Sequence, residues 1–183
     1  MDALWIQLIN SDWHDHRGSG AQEDRLGNDT WLKGFLEKAG WGADRLPSPR
    51  EREELRHLRF LMRRLLDAFR AGEPLPTEGV AALNDLLEAA PVFRQFQSGT
   101  GRRRLVTLPV ATGMRRLLGE IAASFAHLLA EGDPARVKVC ANPDCGWVIY
   151  DESRNLSRRW CDAAECGNLI KVRQHRQRKR EGR

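Results

Sequence analysis

The sequence predicts a mainly α-helical protein that ends in a small cysteine-rich module followed by a basic helix. Three observations support this prediction. Apolar residues recur at helical spacing through the first three quarters of the 183 residues. All four cysteines lie in the last quarter, as the pairs Cys140–Cys145 and Cys161–Cys166. The net charge of +5 is concentrated behind them, because residues 167–183 hold seven basic side chains and one acidic side chain.

The first 40 residues predict one short apolar element, one loop and one helix. Residues 4–9 are apolar and fit either a helix or a strand. Residues 10–27 are polar and contain glycines, which favours a loop. Asn28 or Asp29 can cap the following helix, and Gly40 ends it.

Two further helices follow before residue 91. Ser48 and Pro49 predict the start of a long helix, because proline suits the first helical position, and Gly72 ends this helix. Thr77 is predicted to cap a shorter helix that stops before Pro91.

The remainder of the predicted N-terminal domain contains one β-hairpin and one more helix. Residues 92–96 and 104–108 have strand patterns and flank a turn over residues 98–101. Arg102, Arg103 and Arg104 fit either a phosphate contact or a solvated flank of this hairpin. The helical period returns from residue 112 and stops at Gly132-Asp133-Pro134. That boundary divides the chain into predicted domains over residues 1–133 and 137–180.

The cysteine spacing, C-x4-C-x15-C-x4-C, predicts a structural zinc site. Two short-loop pairs separated by one hairpin length can place four thiolates around one tetrahedral Zn²⁺. Thiolates disfavour Mg²⁺ and Ca²⁺, which take oxygen ligands. A disulfide framework would suit a secreted domain, but the sequence shows no signal peptide. The remaining alternative to zinc is a thiol redox switch. We therefore expect one structural Zn²⁺ in a treble-clef-like zinc finger, bound by Cys140, Cys145, Cys161 and Cys166.

The basic segment behind the cysteines predicts a contact with a phosphate backbone. A solvated helix end would have the same charge pattern. Duplex DNA is the favoured partner, because the major groove admits one helix. RNA binding and a zinc-stabilised protein-interaction module are the alternatives. The candidate nucleic-acid contacts are Arg154, Arg158, Arg159, Asn168, Lys171, Arg173, Arg176, Arg178, Lys179 and Arg180.

Other function classes fit the sequence poorly. No apolar run approaches the roughly 18 to 20 residues that span a membrane, and reduced thiols indicate the cytoplasm. An enzyme is not expected, because a four-cysteine site has no open coordination position and no H-x-E or H-E-x-x-H pattern occurs. His14 and His16 lack further ligands at a fixed spacing, so an exposed polar loop is expected there rather than a second metal or catalytic site.

The residues around the cysteines resemble the bacterial CGNR zinc finger over residues 137–180. The resemblance lies in residues 140–147, 151, 153–155, 157–161 and 166–168. The preceding region is similar to the ABATE domain, with Leu8-Ile9-Asn10-Ser11 at the end of its first element. These resemblances imply a stress-linked bacterial transcription regulator. We expect its helical domain to sense a small-molecule effector, to form a homodimer, or both.

One residue departs from the family motif. The motif after the fourth cysteine ends in arginine, whereas this chain has Leu169. Leucine cannot donate to a phosphate, although Lys171 and Arg173 lie close by in the sequence. Among the matched residues, Trp147 and Trp160 are expected to pack over the metal site, with base stacking by Trp160 as the alternative. Gly146 is expected to adopt a left-handed conformation.

Overall fold

The computed structural model describes residues 3–41, 45–99 and 101–182. These residues form six α-helices: α1 (Leu4–Ile9), α2 (Asp29–Lys38), α3 (Pro49–Ala71), α4 (Thr77–Ala89), α5 (Gly113–Glu131) and α6 (Asn168–Glu181). Three antiparallel pairs of strands accompany them: β1 (Asp12–His14) with β2 (Gln22–Asp24), β3 (Val92–Gly99) with β4 (Arg102–Pro109), and β5 (Val137–Val139) with β6 (Val148–Tyr150). The mainly α class and the terminal basic helix are confirmed.

Helix α3 has the bounds that its sequence predicts. The Ser48 hydroxyl accepts a hydrogen bond from the Glu51 backbone N–H at 3.3 Å, and the Glu51 carboxylate accepts one from the Ser48 N–H at 2.7 Å. This reciprocal cap satisfies backbone donors that the first helical turn leaves free. Gly72 ends the helix with a left-handed φ of 68°.

Among the other predicted helix starts, one is wrong. Residues 4–9 form a helix, and the Asn28 side chain caps α2 by accepting from the Trp31 N–H at 3.0 Å. The prediction that Thr77 caps α4 is wrong, because Thr77 is the first helical residue and Pro76 stands at the cap without a side-chain hydrogen bond. The proline ring already restricts the backbone that enters the helix, so the helix starts without a polar cap.

The core lies where α1, α3, α4 and α5 meet. The Trp5 and Phe125 rings pack with their centroids 6.0 Å apart. Helix α5 approaches the end of α4 so closely that a Cβ atom on Gly119 would lie 2.1 Å from the Ala90 Cβ. Among the described helices, none is both long enough and apolar enough to cross a bilayer. The largest fully buried apolar side chains are Leu8, Ile9, Leu26, Leu32, Leu55, Met62, Leu65, Leu117, Ile121 and Phe125.

The predicted loop over residues 10–27 is instead a small hairpin, β1–β2, followed by a single 3-10 turn. Arginines on α3 hold it in place. Arg59 donates to the Ser11 hydroxyl and to an Asp24 carboxylate oxygen, both at 2.7 Å. Arg56 donates to the other Asp24 oxygen at 2.5 Å. These partners lie more than thirty residues apart in sequence. The local pattern of polar residues and glycines does not contain such contacts, and it therefore predicts a loop.

The β5–β6 hairpin of the cysteine-rich region packs on the helical core. Val137 and Val148 are buried in the same cluster as the helices. Asp133 accepts from the Ala135 N–H at 2.9 Å and orders the chain that enters β5. The division into domains at residues 133–137 stays a prediction. The predicted β3–β4 hairpin is also present, although Thr100 of its turn lies outside the described residues.

Candidate functional site

The four cysteine sulfurs form one compact cluster. All four Sγ atoms lie within 4.8 Å of one another, and Cys161 Sγ is 3.6 Å from both Cys145 Sγ and Cys166 Sγ. A tetrahedral ion with Zn–S bonds of about 2.3 Å requires S···S separations of about 3.8 Å. The separations and the all-sulfur donor set therefore fit one Zn²⁺, which would have no open position for a substrate.

Backbone and amide groups orient these sulfurs. The Cys161 N–H donates to Cys140 Sγ at 3.4 Å, and the Asn142 side-chain amide donates to Cys166 Sγ at 3.5 Å. Such outer hydrogen bonds fix thiolate ligands and stabilise their charge. Gly146 has a φ of 65°, which confirms the predicted left-handed turn after the second cysteine.

The protonation of the sulfurs also favours a bound cation. The hydrogen bond from Cys161 lowers the pKa of the Cys145 thiol to about 5. The contact with Cys145 raises the pKa of Cys161, and burial raises the pKa of Cys166 to about 11. Thiolates at these separations repel one another, and the positive charge of an ion among them would offset that repulsion. Zn²⁺ supplies that charge and displaces the thiol protons on binding.

Two tryptophans enclose the cysteine cluster. Trp147 and Trp160 are half-buried and pack against the cysteines, so the packing role predicted for them is confirmed. The Arg25 guanidinium stacks between two indole rings, 5.5 Å from the centroid of Trp13 and 5.5 Å from that of Trp147. This stack joins the β1–β2 region to the cysteine-rich module.

A buried carboxylate organises the connector between the two cysteine pairs. Asp151 accepts from Lys138 Nζ at 2.6 Å and from the backbone N–H groups of Ser153 and Arg158, each at 2.9 Å. The ammonium of Lys138 is the main reason why the pKa of Asp151 lies well below its usual range. This role of Asp151 is not evident from the local sequence, although Asp-x-Ser is a common turn signal.

Asn10 connects the first helix to the cysteine-rich module. Its side-chain amide donates to the Val148 carbonyl at 2.8 Å, and its side-chain oxygen accepts from the Val148 N–H at 2.8 Å. Asn10 is buried, so both hydrogen bonds form away from water. The sequence marked Asn10 only through the family resemblance, because its partner lies 138 residues away.

Helix α6 starts two residues after the fourth cysteine and is exposed along most of its length. Residues 168–181 contain six basic side chains and one acidic side chain. One of the basic residues is turned inward. Arg173 donates to Asp144 Oδ2 at 2.7 Å and to the Arg17 carbonyl at 2.6 Å. This anchor fixes the rotation of α6 about its own axis.

The anchor determines which face of α6 points to solvent. At about 100° per residue, Lys171, His175, Arg178 and Lys179 share the side opposite Arg173. All four side chains are exposed. We call these four residues the outer face of α6. Asn168, at the start of the helix, is also exposed and lies close to this face. Arg176 and Arg180 are exposed on the Arg173 side.

The remaining residues near the cysteines that bear on nucleic-acid binding differ in their exposure and in their contacts within the protein. Arg154 is exposed in the connector. Arg158 donates to the carbonyls of Trp160 at 3.2 Å and Cys161 at 2.7 Å, so it supports the connector. Arg159 lies over the Trp160 ring, with its guanidinium carbon 5.3 Å from the ring centroid. Leu169 is half-buried and lines a groove beside His16, so the residue that departs from the family motif lies off the outer face.

The loop that contains His14 and His16 lies beside the cysteine cluster. The prediction that these two histidines are exposed is therefore wrong. His14 and His16 are half-buried and line a cavity of about 260 Å³ that also reaches Cys145 and Cys161. Asn142 ties the loop to the cysteines by donating to the His16 carbonyl at 2.8 Å. Within the described residues, the four cysteines are the one group placed to hold a metal ion.

Comparison with protein families agrees with this arrangement. The model of the CGNR zinc finger matches residues 136–179. The model of the ABATE family, described as "putative stress-induced transcription regulator", matches residues 2–132. Neither description is that of an enzyme. A comparison with curated proteins finds no match. The chain therefore belongs to the ABATE family and combines its domain with a CGNR zinc finger whose four cysteines can hold one zinc ion.

Proposed function

We propose that this protein regulates transcription by binding duplex DNA through the outer face of α6. The observation that supports the proposal most is the exposed cationic helix that begins two residues after the fourth zinc ligand. Phosphate contacts supply most of the sequence-independent affinity for DNA, and lysine and arginine make them. The three permanent cations of the outer face are Lys171, Arg178 and Lys179.

Zinc and the Arg173 anchor give this helix a fixed orientation. The ion holds the start of α6 against the cysteine loops, and Arg173 prevents rotation about the helix axis. A helix about 10 to 12 Å wide fits the major groove, which is about 12 Å wide. The protein therefore presents a pre-oriented helix, which lowers the entropic cost of binding. Arg154, Arg159 and Asn168 are exposed on the finger, and we include them as further candidate contacts.

The helical domain then serves as the regulatory part, which senses an apolar effector. A cavity of about 360 Å³ lies between α1, α5 and β6, with Trp5, Ile6, Leu128 and Tyr150 in its lining. Because Tyr150 belongs to the zinc-finger hairpin, a ligand there would touch both parts of the chain. Screening small apolar compounds by thermal shift tests this role. Compounds for this cavity stabilise the wild type but not Ser124→Trp, which fills it.

The proposed site is a binding site and not a catalytic one. Four sulfur ligands leave zinc without the open position that metal-dependent hydrolysis needs. We place the protein in the cytoplasm, where reducing conditions keep the four thiols available for zinc.

Fluorescence anisotropy with duplex DNA and RNA at the same salt concentration tests the proposal. The decisive variant is Lys171→Gln/Arg178→Gln/Lys179→Gln. Its control is Lys33→Gln/Arg64→Gln/Arg115→Gln, which removes three exposed charges from the helical domain. We expect the α6 variant to lose at least about tenfold in DNA affinity while the control loses little. Tighter binding to RNA, or no nucleic-acid binding with salt-insensitive protein partners, would favour the alternatives.

The position of Leu169 leads to a separate expectation. Because Leu169 faces the groove beside His16, an arginine there would lie away from the outer face. Leu169→Arg should therefore change DNA affinity less than about threefold. A gain of tenfold or more would show that DNA reaches the Arg173 side of α6.

A further inference from the structure

The β3–β4 hairpin projects from the helical domain as an arm. Its two strands pair along their whole length, from Val92 with Pro109 to Gly99 with Arg102. At about 3.4 Å per residue, eight residues in each strand give an arm of roughly 27 Å. All residues of β3 are exposed, and so are the first four of β4, so the outer half of the hairpin meets solvent on both faces. We call residues 92–109 the arm.

The arm is strongly cationic. It contains no acidic residue and four arginines, which are Arg94, Arg102, Arg103 and Arg104. Elsewhere in the helical domain, Arg56, Arg59 and Arg116 pair with carboxylates at 2.5 to 2.7 Å. Within the described residues, no arginine of the arm has a carboxylate partner. The charge of the arm is therefore not neutralised by these residues, and it is complementary to a polyanion.

The strand register places the arginines of the tip on two opposite faces. Arg103 shares one face with Phe96 and Leu105. Arg102 and Arg104 lie on the other face, because side chains alternate along a strand. A flat anionic surface would meet the arginines of only one face. A groove with a charged wall on each side would meet both.

The tip of the arm has dimensions that suit a groove of duplex DNA. The three residue pairs that contain Arg102, Arg103 and Arg104 span about 10 Å, and the major groove is about 8.5 Å deep. The residues paired with these arginines are uncharged, and two of them are small: Gln97, Ser98 and Gly99. The major groove is about 12 Å wide and admits a two-stranded ribbon. A phosphate backbone lines each of its sides.

We propose that the tip of the arm inserts into the major groove of duplex DNA and forms a second contact in addition to that of α6. Arg103 then reaches the phosphates of one DNA strand, and Arg102 and Arg104 reach those of the other. Phe96 and Leu105 are each 65 % exposed and lie one pair further from the tip, at the mouth of the groove. The sugars offer apolar carbon atoms there. This inference rests on the proposed function, because it concerns the same DNA partner.

The salt dependence of duplex affinity, measured with the full zinc-loaded chain, tests the proposal. Arg102→Gln/Arg103→Gln/Arg104→Gln should lower DNA affinity at least about tenfold and flatten the slope of log affinity against log salt by about 2.7. The control Lys33→Gln/Arg64→Gln/Arg115→Gln removes three exposed charges from helices of the same domain and should retain the wild-type slope. All the substituted side chains are exposed, so circular dichroism and zinc content should not change.

The two faces of the tip are tested separately. Arg103→Gln should flatten the slope by about 0.9, and Arg102→Gln/Arg104→Gln should flatten it by about 1.8. Flattening by only one of these variants would overturn the placement in a groove, because a single face of the arm would then contact DNA.

Photocrosslinking provides a measurement that does not depend on charge. The photoreactive residue p-benzoylphenylalanine should crosslink to duplex DNA when it replaces Phe96. It should not crosslink when it replaces Phe60 on α3, which is exposed to the same extent, at 64 %. Equal crosslinking at the two positions, or none at Phe96, would overturn the proposal.

The arm and α6 can be distinguished by their variants. Loss of duplex affinity in the α6 variant but not in the arm variant would overturn this inference and leave the proposed function intact. Loss in the arm variant alone would support the inference and contradict DNA binding through α6. If the arm variant loses affinity for RNA or for anionic lipid vesicles but not for duplex DNA, the inference is overturned.

Discussion

Asn10 shows how one side chain can hold two distant parts of a chain together. It satisfies both backbone polar groups of Val148, at 2.8 Å each, inside the protein. A leucine or alanine at this position would leave a buried N–H and a buried carbonyl without partners. Each such group costs about 1 to 3 kcal/mol. The amide is suited to the position because it carries one donor group and one acceptor.

Asn10→Ala should therefore lower the free energy of unfolding by about 2 to 4 kcal/mol. Asn155→Ala is the control, because Asn155 is exposed in the connector, and it should change stability by less than about 0.5 kcal/mol. Urea unfolding of the zinc-loaded protein measures both values. A loss below 1 kcal/mol for Asn10→Ala would show that water satisfies Val148 in the variant.

Asp151 predicts a specific dependence of stability on pH. Its pKa is lowered in the folded protein, mainly by Lys138, so the ionised carboxylate stabilises the fold. This contribution is complete above the unfolded carboxyl pKa of about 3.9 and declines as pH falls toward the lower folded value. The stability difference between wild type and Asp151→Asn should thus be constant from pH 7 to about 5 and shrink below pH 4.

Comparing the two proteins at each pH removes the contribution of zinc. Acid protonates the cysteines and releases the metal from wild type and variant alike, so only their difference reports on Asp151. Urea midpoints at matched zinc content provide the measurement. A difference that stays equal from pH 7 to pH 3 would contradict the role of the Lys138–Asp151 pair.

Secondary-structure elements with strong local signals could be predicted from the sequence. Ser48, Pro49 and Gly72 are start and stop signals that act within one helical turn, and α3 has those bounds. The β1–β2 hairpin could not be predicted, because its stability comes from α3 arginines such as Arg59 that lie far away in sequence. Local pattern contains no information on such pairings.

The candidate site shows the same division between local and distant information. The spacing of the cysteines predicted the metal cluster, since ligand loops are short-range features. The orientation of α6 could not be predicted, because it depends on the contact of Arg173 with Asp144 and with the Arg17 carbonyl. From the sequence alone, all the basic residues of α6 are therefore equally good candidates for nucleic-acid contacts. The structure separates the anchor from the outer face.

Zinc removal should loosen some elements of the finger and spare others. A zinc ion bound to the four cysteines would hold the cysteine loops and the start of α6. In contrast, β5 and β6 pack on the helical core through Val137 and Val148. With a zinc chelator, amide hydrogen exchange should therefore accelerate over residues 140–147 and 160–181. The hairpin strands should remain protected.

Cys145→Ser should reproduce this exchange pattern in the presence of zinc, because three remaining thiolates hold the ion weakly. Loss of protection throughout β5 and β6 would mean that the metal, and not the helical core, stabilises the hairpin. Unchanged exchange in α6 would mean that its position does not depend on zinc.

At the scale of the whole molecule, the finger and the helical domain are mechanically connected. Asn10, Asn142 and Arg173 each link the two predicted domains by hydrogen bonds. The Arg25 stack between Trp13 and Trp147 adds a fourth connection. The effector proposed above would act on α6 through these links, which is the coupling that a regulator needs.

The salt dependence of duplex affinity tests DNA binding through α6 most directly. Each phosphate contact contributes about 0.9 to the slope of log affinity against log salt. Lys171→Gln/Arg178→Gln/Lys179→Gln should flatten the slope by about 2.7 relative to wild type. The charge-matched variant Lys33→Gln/Arg64→Gln/Arg115→Gln should keep the wild-type slope. Equal slopes for wild type and the α6 variant, or equal flattening by both variants, would contradict DNA binding through this face.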